Sequence, residues 1–193
     1  QQTSIPIDID VYLKANKEFD MPVLYAGDLK SDICVIGRDL GAKEVEFGQP
    51  LIGSGGKKVR QTLAEHFGIT DDSPPLFPKT MENVVFTNTV PYKPPGNKAY
   101  SSEIRELFRP LVLGLLTMHW SGQTILTLGN EAFQWFGPYL KDTVIDDCMK
   151  SDLRYSACFI ADLPMIGGTD SKRVNIMPLP HPSPLNVRWS REF

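Results

Sequence analysis

The chain has 193 residues, 41% of them apolar, and carries 20 basic against 23 acidic side chains for a net charge of −3. That balance predicts one folded domain over residues 1–193 and excludes an unfolded polyelectrolyte; the lack of any run of about 20 apolar residues excludes a membrane-spanning helix. Three cysteines, Cys34, Cys148 and Cys158, form no CxxC pair, which argues against a zinc site, an iron–sulfur cluster or a disulfide framework.

The opening QQTSIPIDID has neither a basic start nor an apolar core, so no export signal is expected and the expected location is cytoplasmic. The first β-rich run, Ile33 to Ile36, ends at Gly37 and leads into GRDLG. The glycine cluster GSGGKK at 53–58 precedes a predicted helix from Lys57 to His66. It is not a Walker loop, whose spacing would need Gly at Leu51 and Ser or Thr at Lys58. Either a plain helix cap or a place where a phosphate approaches backbone amides fits it.

A second run, Val84 to Thr87, ends at Asn88. The clearest amphipathic helix follows a Ser101 or Ser102 cap, with Ile104, Leu107, Phe108, Leu111, Val112, Leu115 and Leu116 at helical spacing; Pro110 is expected to kink or restart it. Thr124 to Leu128 forms a third run before Gly129, and a helix is predicted from Asn130 to just short of Pro138. The segment from Lys141 to Lys172 has no clear pattern. A fourth run, Val174 to Met177, leads into PLPHPSPLN at 178–186.

Strands alternating with helices predict an α/β fold, a three-layer αβα sandwich around a central four-stranded parallel sheet. Such sheets bind ligands beyond the carboxyl ends of their strands, which directs attention to the loops starting at Gly37, Asn88, Gly129 and Pro178. Asp39 lies between two glycines that leave its carboxylate accessible, although a helix cap would explain it too. Asn88 offers one acceptor and two donors, suited to the amide or imide edge of a base; turn formation is its ordinary explanation. His181 sits in a proline-stiffened loop, whereas His66 and His119 fall inside helical patterns. An acid, an amide and an imidazole on three strand ends converge on one crevice.

The net charge does not advertise a nucleic-acid partner. Local basic groups exist, however: Lys57, Lys58 and Arg60, and Lys172, Arg173, Arg188 and Arg191 against Glu192 in residues 172–193. They fit either a solvated face or phosphate contacts, which backbone amides and helix N-termini can assist.

Taken together, these motifs resemble the uracil-DNA glycosylase superfamily. GRDLG is similar to the water-activating motif written GQDPY or GExPG in its branches, and EVEFGQPLIGSGG at 44–56 resembles ExxxGxPFVGxxG of the iron–sulfur branch. TNTVPYKPPGN at 87–97 resembles TNxVKCRPPGN, and HPSPLN at 181–186 resembles HPSPLS. The resemblance implies a monomeric enzyme that flips uracil out of DNA and hydrolyses its N-glycosidic bond in base-excision repair, nucleoid-associated if bacterial. It implies Asp39 beside the sugar and attacking water, His181 as donor to uracil O2, and Asn88 as reader of the base edge. Leu185 would fill the vacated stack. Ser54, Gly55, Pro182 and Ser183 would grip phosphates, with Arg188 and Lys172 adding attraction.

The departures are specific. Tyr92 and Phe108 stand where cluster-holding relatives carry cysteines, which implies a chain that works without cluster, metal or other cofactor. Leu51 replaces the phenylalanine that stacks on uracil, leaving Phe47 as a candidate ring. Gly41 replaces the tyrosine that excludes the thymine methyl, and Leu40 a proline. A glycosylase for 5-hydroxymethyluracil or another damaged base, or a catalytically silent DNA-binding homologue, are the alternatives that follow.

Overall fold

The computed structural model describes residues 5–140 and 151–182. Six strands form one sheet in the order β1-β3-β2-β4-β6-β5. They are β1 (Tyr25–Gly27), β2 (Ile33–Gly37), β3 (Val84–Asn88), β4 (Thr124–Leu128), β5 (Phe159–Pro164) and β6 (Ser171–Leu179). The four expected strands are its parallel centre, β3-β2-β4-β6. The expectation of four strands is thus corrected to six by two antiparallel edges, β1 on β3 and β5 on β6. Three-residue β1 is too short to show a period. β5 alternates buried and exposed residues, the pattern of a strand with one wet face, inside the segment that lacked a clear reading.

Helices cover both faces. Cys34 and Ile36 of β2 point to one side, where they join Val112 and Leu116, Phe133 and Phe136 in the largest core cluster. Val35, one residue out of phase, points to the other, against Val59 and Leu63. The first side is covered by α5 (Ser102–Gly114) and α6 (Asn130–Gln134), the second by α3 (Ser54–His66). Three short helices had no strong periodic signal: α1 (Ile9–Lys14), α2 (Ala42–Phe47) and α4 (Pro78–Met81). A third apolar cluster joins α1 and α2 to the strand ends through Tyr12, Leu40, Val45, Tyr92, Tyr100 and Phe108.

Ser101 caps α5 by accepting from the backbone N–H of Ile104. The helix is continuous across Pro110, contrary to a restart there, and widens into a π-helical turn over Leu115–His119. The Lys172 ammonium closes that end, donating to the carbonyls of Leu116 and Trp120. It therefore stands at the opposite end of β6 from His181 and is spent on helix carbonyls rather than held out for DNA. The helix predicted from Lys57 starts three residues earlier, at Ser54, with Gly53 as its extended N-cap. Gly56 is required there because a Cβ would collide with the carbonyl of Leu51. Among the described residues no helix is long and apolar enough to cross a membrane.

Packing of α5 against the sheet sets a first expectation. Replacing fully buried Leu116 by Ala costs about 2–5 kcal/mol in urea unfolding. Replacing half-exposed Leu107 on the same helix costs no more than about 0.5 kcal/mol.

Candidate active site

The carboxyl ends of β2 and β3 are locked in register, Gly37 opposite Asn88. The pairing outlasts the strands: Thr89 N–H donates to the Gly37 carbonyl at 3.0 Å and Val90 N–H to the Arg38 carbonyl at 3.1 Å. Leu40 N–H donates to the Tyr92 carbonyl at 3.3 Å, and its side chain is buried in the third cluster. A proline at position 40 could not make that bond, so here hydrogen bonding and packing hold the loop instead.

Asn88 is 1% exposed, and neither its amide nitrogen nor its amide oxygen has a hydrogen-bond partner. A buried primary amide left so costs about 1–3 kcal/mol unless water or a ligand completes it. The Gln49 amide oxygen, the Tyr100 and Thr127 hydroxyls and the Trp135 indole N–H are likewise buried without a protein partner, but in Asn88 both donor and acceptor are. A Cβ on Gly37 would lie 2.5 Å from the Asn88 Oδ1 and 2.9 Å from the Leu51 Cδ2. The absence of a side chain at Gly37 thus lets the Asn88 amide and Leu51 pack against the end of β2, with Leu51 as the wall on that side. Leu51 has φ 54°, a left-handed backbone that costs a branched residue about 1 kcal/mol.

Arg60 holds that wall. Its guanidinium is fully buried over the Phe86 ring and donates to the carbonyls of Pro50, Leu51 and Leu76, each at 2.8 Å. Burial pulls its pKa down to about 10, so it stays charged at neutral pH. Glu44 does the complementary task for the glycine loop, its Oε1 accepting from the amides of Ile52 at 3.1 Å and Gly53 at 2.8 Å. Neither residue was singled out from sequence. Arg60 was read as part of a basic group, and a buried arginine that bonds only carbonyls has no local sequence signature.

Asp39 follows β2 by two residues with its side chain 8% exposed, and its Oδ2 accepts from the Arg38 Nε at 2.9 Å. Burial pushes its pKa above the usual aspartate range; Arg38 and, more weakly, Lys93 oppose that, while Glu131 adds to it. His181 follows β6, and its Cβ and Cδ2 lie 3.2 and 3.4 Å from where a Cβ of Gly129 would stand. Gly129 has φ +82°, so glycine is needed there for backbone as well as room. His181 keeps an exposed edge, and partial desolvation of its ring first, then the charge of Arg38, hold it below the ordinary imidazole pKa. Asp39, Asn88 and His181 therefore occupy three ends of the parallel core, as the loops required.

Other expected residues divide. Ser54 and Gly55 lie in the first turn of α3, beside the loop that Glu44 holds. A side chain on Gly41 would run into the Glu44 carboxylate, so glycine here serves helix α2 as well as any bound base. Phe47 is 40% exposed at the end of α2, with the Lys43 ammonium 5.8 Å from its ring; the packing beside Asn88 is made by Leu51 and not by it. Pro182 is buried. Ser183, Leu185 and Arg188 lie outside the described residues, as does Cys148.

A family model described as the uracil DNA glycosylase superfamily matches residues 24–193. The chain belongs to that superfamily. No curated protein sequence matches it. Membership supports a DNA glycosylase, a hydrolase of N-glycosyl bonds acting on DNA. In this superfamily member, Tyr92 and Phe108 pack as tilted rings 5.4 Å apart in the third cluster. Among the described residues no group of three His, Cys, Asp or Glu side chains could hold a metal ion.

The wall held by Arg60 gives the second expectation. Arg60→Met leaves three carbonyls without their donor and lowers stability in urea unfolding by about 2–4 kcal/mol. A loss below about 0.5 kcal/mol would mean that water replaces the guanidinium without cost.

Proposed function

We propose that this superfamily member is a monofunctional uracil-DNA glycosylase that acts as a monomer and as one domain, initiating base-excision repair. The observation that carries the reading is the buried, unpartnered amide of Asn88 beside Gly37. Its donor and acceptor complement O4 and N3–H of uracil, whereas the amino group of cytosine would set donor against donor.

A glycosidic bond inside a duplex is out of reach, so the nucleotide is flipped into the crevice. Cleavage leaves positive charge on the deoxyribose and negative charge on uracil. Asp39, ionised, stabilises the sugar cation and orients the attacking water. His181, kept neutral, still carries one ring N–H and donates it to uracil O2 as charge develops there. The first turn of α3, with Ser54 and Gly55, contacts a flanking phosphate through its amides. By their likeness to the superfamily's motif, Pro182 and Ser183 grip a flanking phosphate, Leu185 fills the gap in the stack, and Arg188 adds nonspecific attraction.

Base breadth follows from Gly41 and Leu51. With a branched aliphatic wall and no ring at position 41, 5-hydroxymethyluracil is the second substrate to test.

The test is alkali-revealed cleavage of single- and double-stranded oligonucleotides carrying one uracil, 5-hydroxymethyluracil, hypoxanthine or thymine. Wild type releases uracil. Asp39→Ala and His181→Ala each slow release by roughly 100-fold to 1000-fold at matched stability. Release of another base alone moves the assignment to that base, and binding without release of any base identifies a silent homologue. Because burial raises the pKa of Asp39, the rate falls as the pH is lowered through a value above the usual aspartate range. A pH–rate profile that stays flat to pH 4 would contradict an essential Asp39 carboxylate.

A further inference from the structure

Arg38 contacts Asp39 and its charge reaches His181, yet the mechanism above gives it no part. Its side chain is 33% exposed. One nitrogen, Nε, donates to the Asp39 Oδ2 at 2.9 Å, and another, Nη2, donates to the Asn97 carbonyl at 3.3 Å. That carbonyl is presented by two successive left-handed residues, Gly96 at φ 59° and Asn97 at φ 60°. Glycine and asparagine are the residues that adopt this backbone most readily. The loop is thus shaped to put an acceptor where the guanidinium already holds the carboxylate.

We propose that Arg38 is a positioning residue of the active site, strapping the Asp39 carboxylate to the Asn97 loop so that one oxygen is held and Oδ1 is left to meet the attacking water. The inference rests on the glycosylase reading for the attacking water and the kinetic arm, whereas the strap and its effect on the two titrations do not.

The charged surroundings single out Arg38. Asp39 is faced by Arg38, Lys93, Glu131 and the Tyr100 hydroxyl. The Lys93 ammonium is committed to Asp8 at 3.3 Å and the Pro94 carbonyl at 2.6 Å, and Glu131 is paired with Arg105. Arg38 is the cation in direct contact, and its charge also acts on His181. One guanidinium therefore favours the two forms that the chemistry needs together, an ionised Asp39 and a neutral His181. A lysine could supply the charge but lacks the planar fork that bridges two acceptors.

The experiment compares wild type with Arg38→Met and Arg38→Lys, first by NMR titration of the Asp39 carboxyl carbon and the His181 ring, assigned through Asp39→Asn and His181→Gln. Both residues titrate higher in Arg38→Met, by about 1 pH unit, and return toward wild type in Arg38→Lys. On an oligonucleotide that wild type cleaves, the acid limb of Arg38→Met moves up by the same amount. At its own optimum kcat falls about 10-fold or more in both variants, with KM little changed. Unchanged titrations in Arg38→Met overturn the proposal. So does a loss confined to KM that grows with salt, which would make Arg38 a phosphate contact. If wild type releases no base, the glycosylase reading fails while the titrations still decide the role of Arg38. Arg38→Lys provides the readout should Arg38→Met not fold.

Discussion

The site depends on the register of two adjacent parallel strands. With Gly37 opposite Asn88, the last residue of β3 has its amide beside a position that has no side chain. A shift by one residue would turn Asn88 to the other face of the sheet and close the space with Arg38. The register is fixed by the alternation of β2, where Cys34 and Ile36 pack under α5 and α6 while Val35 packs under α3. Hydrophobic burial on both faces therefore decides where the amide stands.

Around that point the chain buries charge and satisfies it with backbone. Arg60 bonds three carbonyls, and the Glu44 carboxylate takes two amides. Buried ions so supplied hold loops in place without needing a counter-ion at contact distance. Asn88 differs in that a buried side chain has neither its donor nor its acceptor satisfied, where Gln49, Tyr100, Thr127 and Trp135 each leave a single atom so. On the proposed reading this doubly unsatisfied amide is where the base edge binds. On the same reading Asp39, after the neighbouring strand β2, and His181, after β6, have opposite needs of protonation, and Arg38 favours both.

The elements legible in the sequence were those with long, strong patterns. The four central strands stand out as short β-branched runs stopped by glycine, asparagine or proline, and α5 shows a full apolar stripe behind a serine cap. Two antiparallel edges were not legible, because β1 has three residues and β5 gives an alternation too brief to separate from loop. Asp39, Asn88 and His181 were singled out as candidates by their positions at or after strand ends, and the strand ends stand at or close to where the sequence put them. Arg60, Glu44 and Arg38 were not assigned these roles because their partners are carbonyls, amides or loops distant in the chain. Lys172 shows the limit of charge as a signal, since only the fold places its ammonium on the carbonyls that close a helix.

The central claim is that Asn88 awaits the edge of an extrahelical uracil. The direct measurement is the side-chain amide resonance of Asn88 in nitrogen-15-labelled protein, assigned by its loss in Asn88→Asp. It is followed as duplex DNA with one non-cleavable 2′-fluoro-deoxyuridine is added, against the same duplex with deoxycytidine at that position. The account predicts that both amide protons shift and gain protection from exchange with the uracil duplex alone, while backbone signals of α3 respond to either. An Asn88 amide that is unmoved by the uracil duplex, or that responds equally to cytosine, would contradict it.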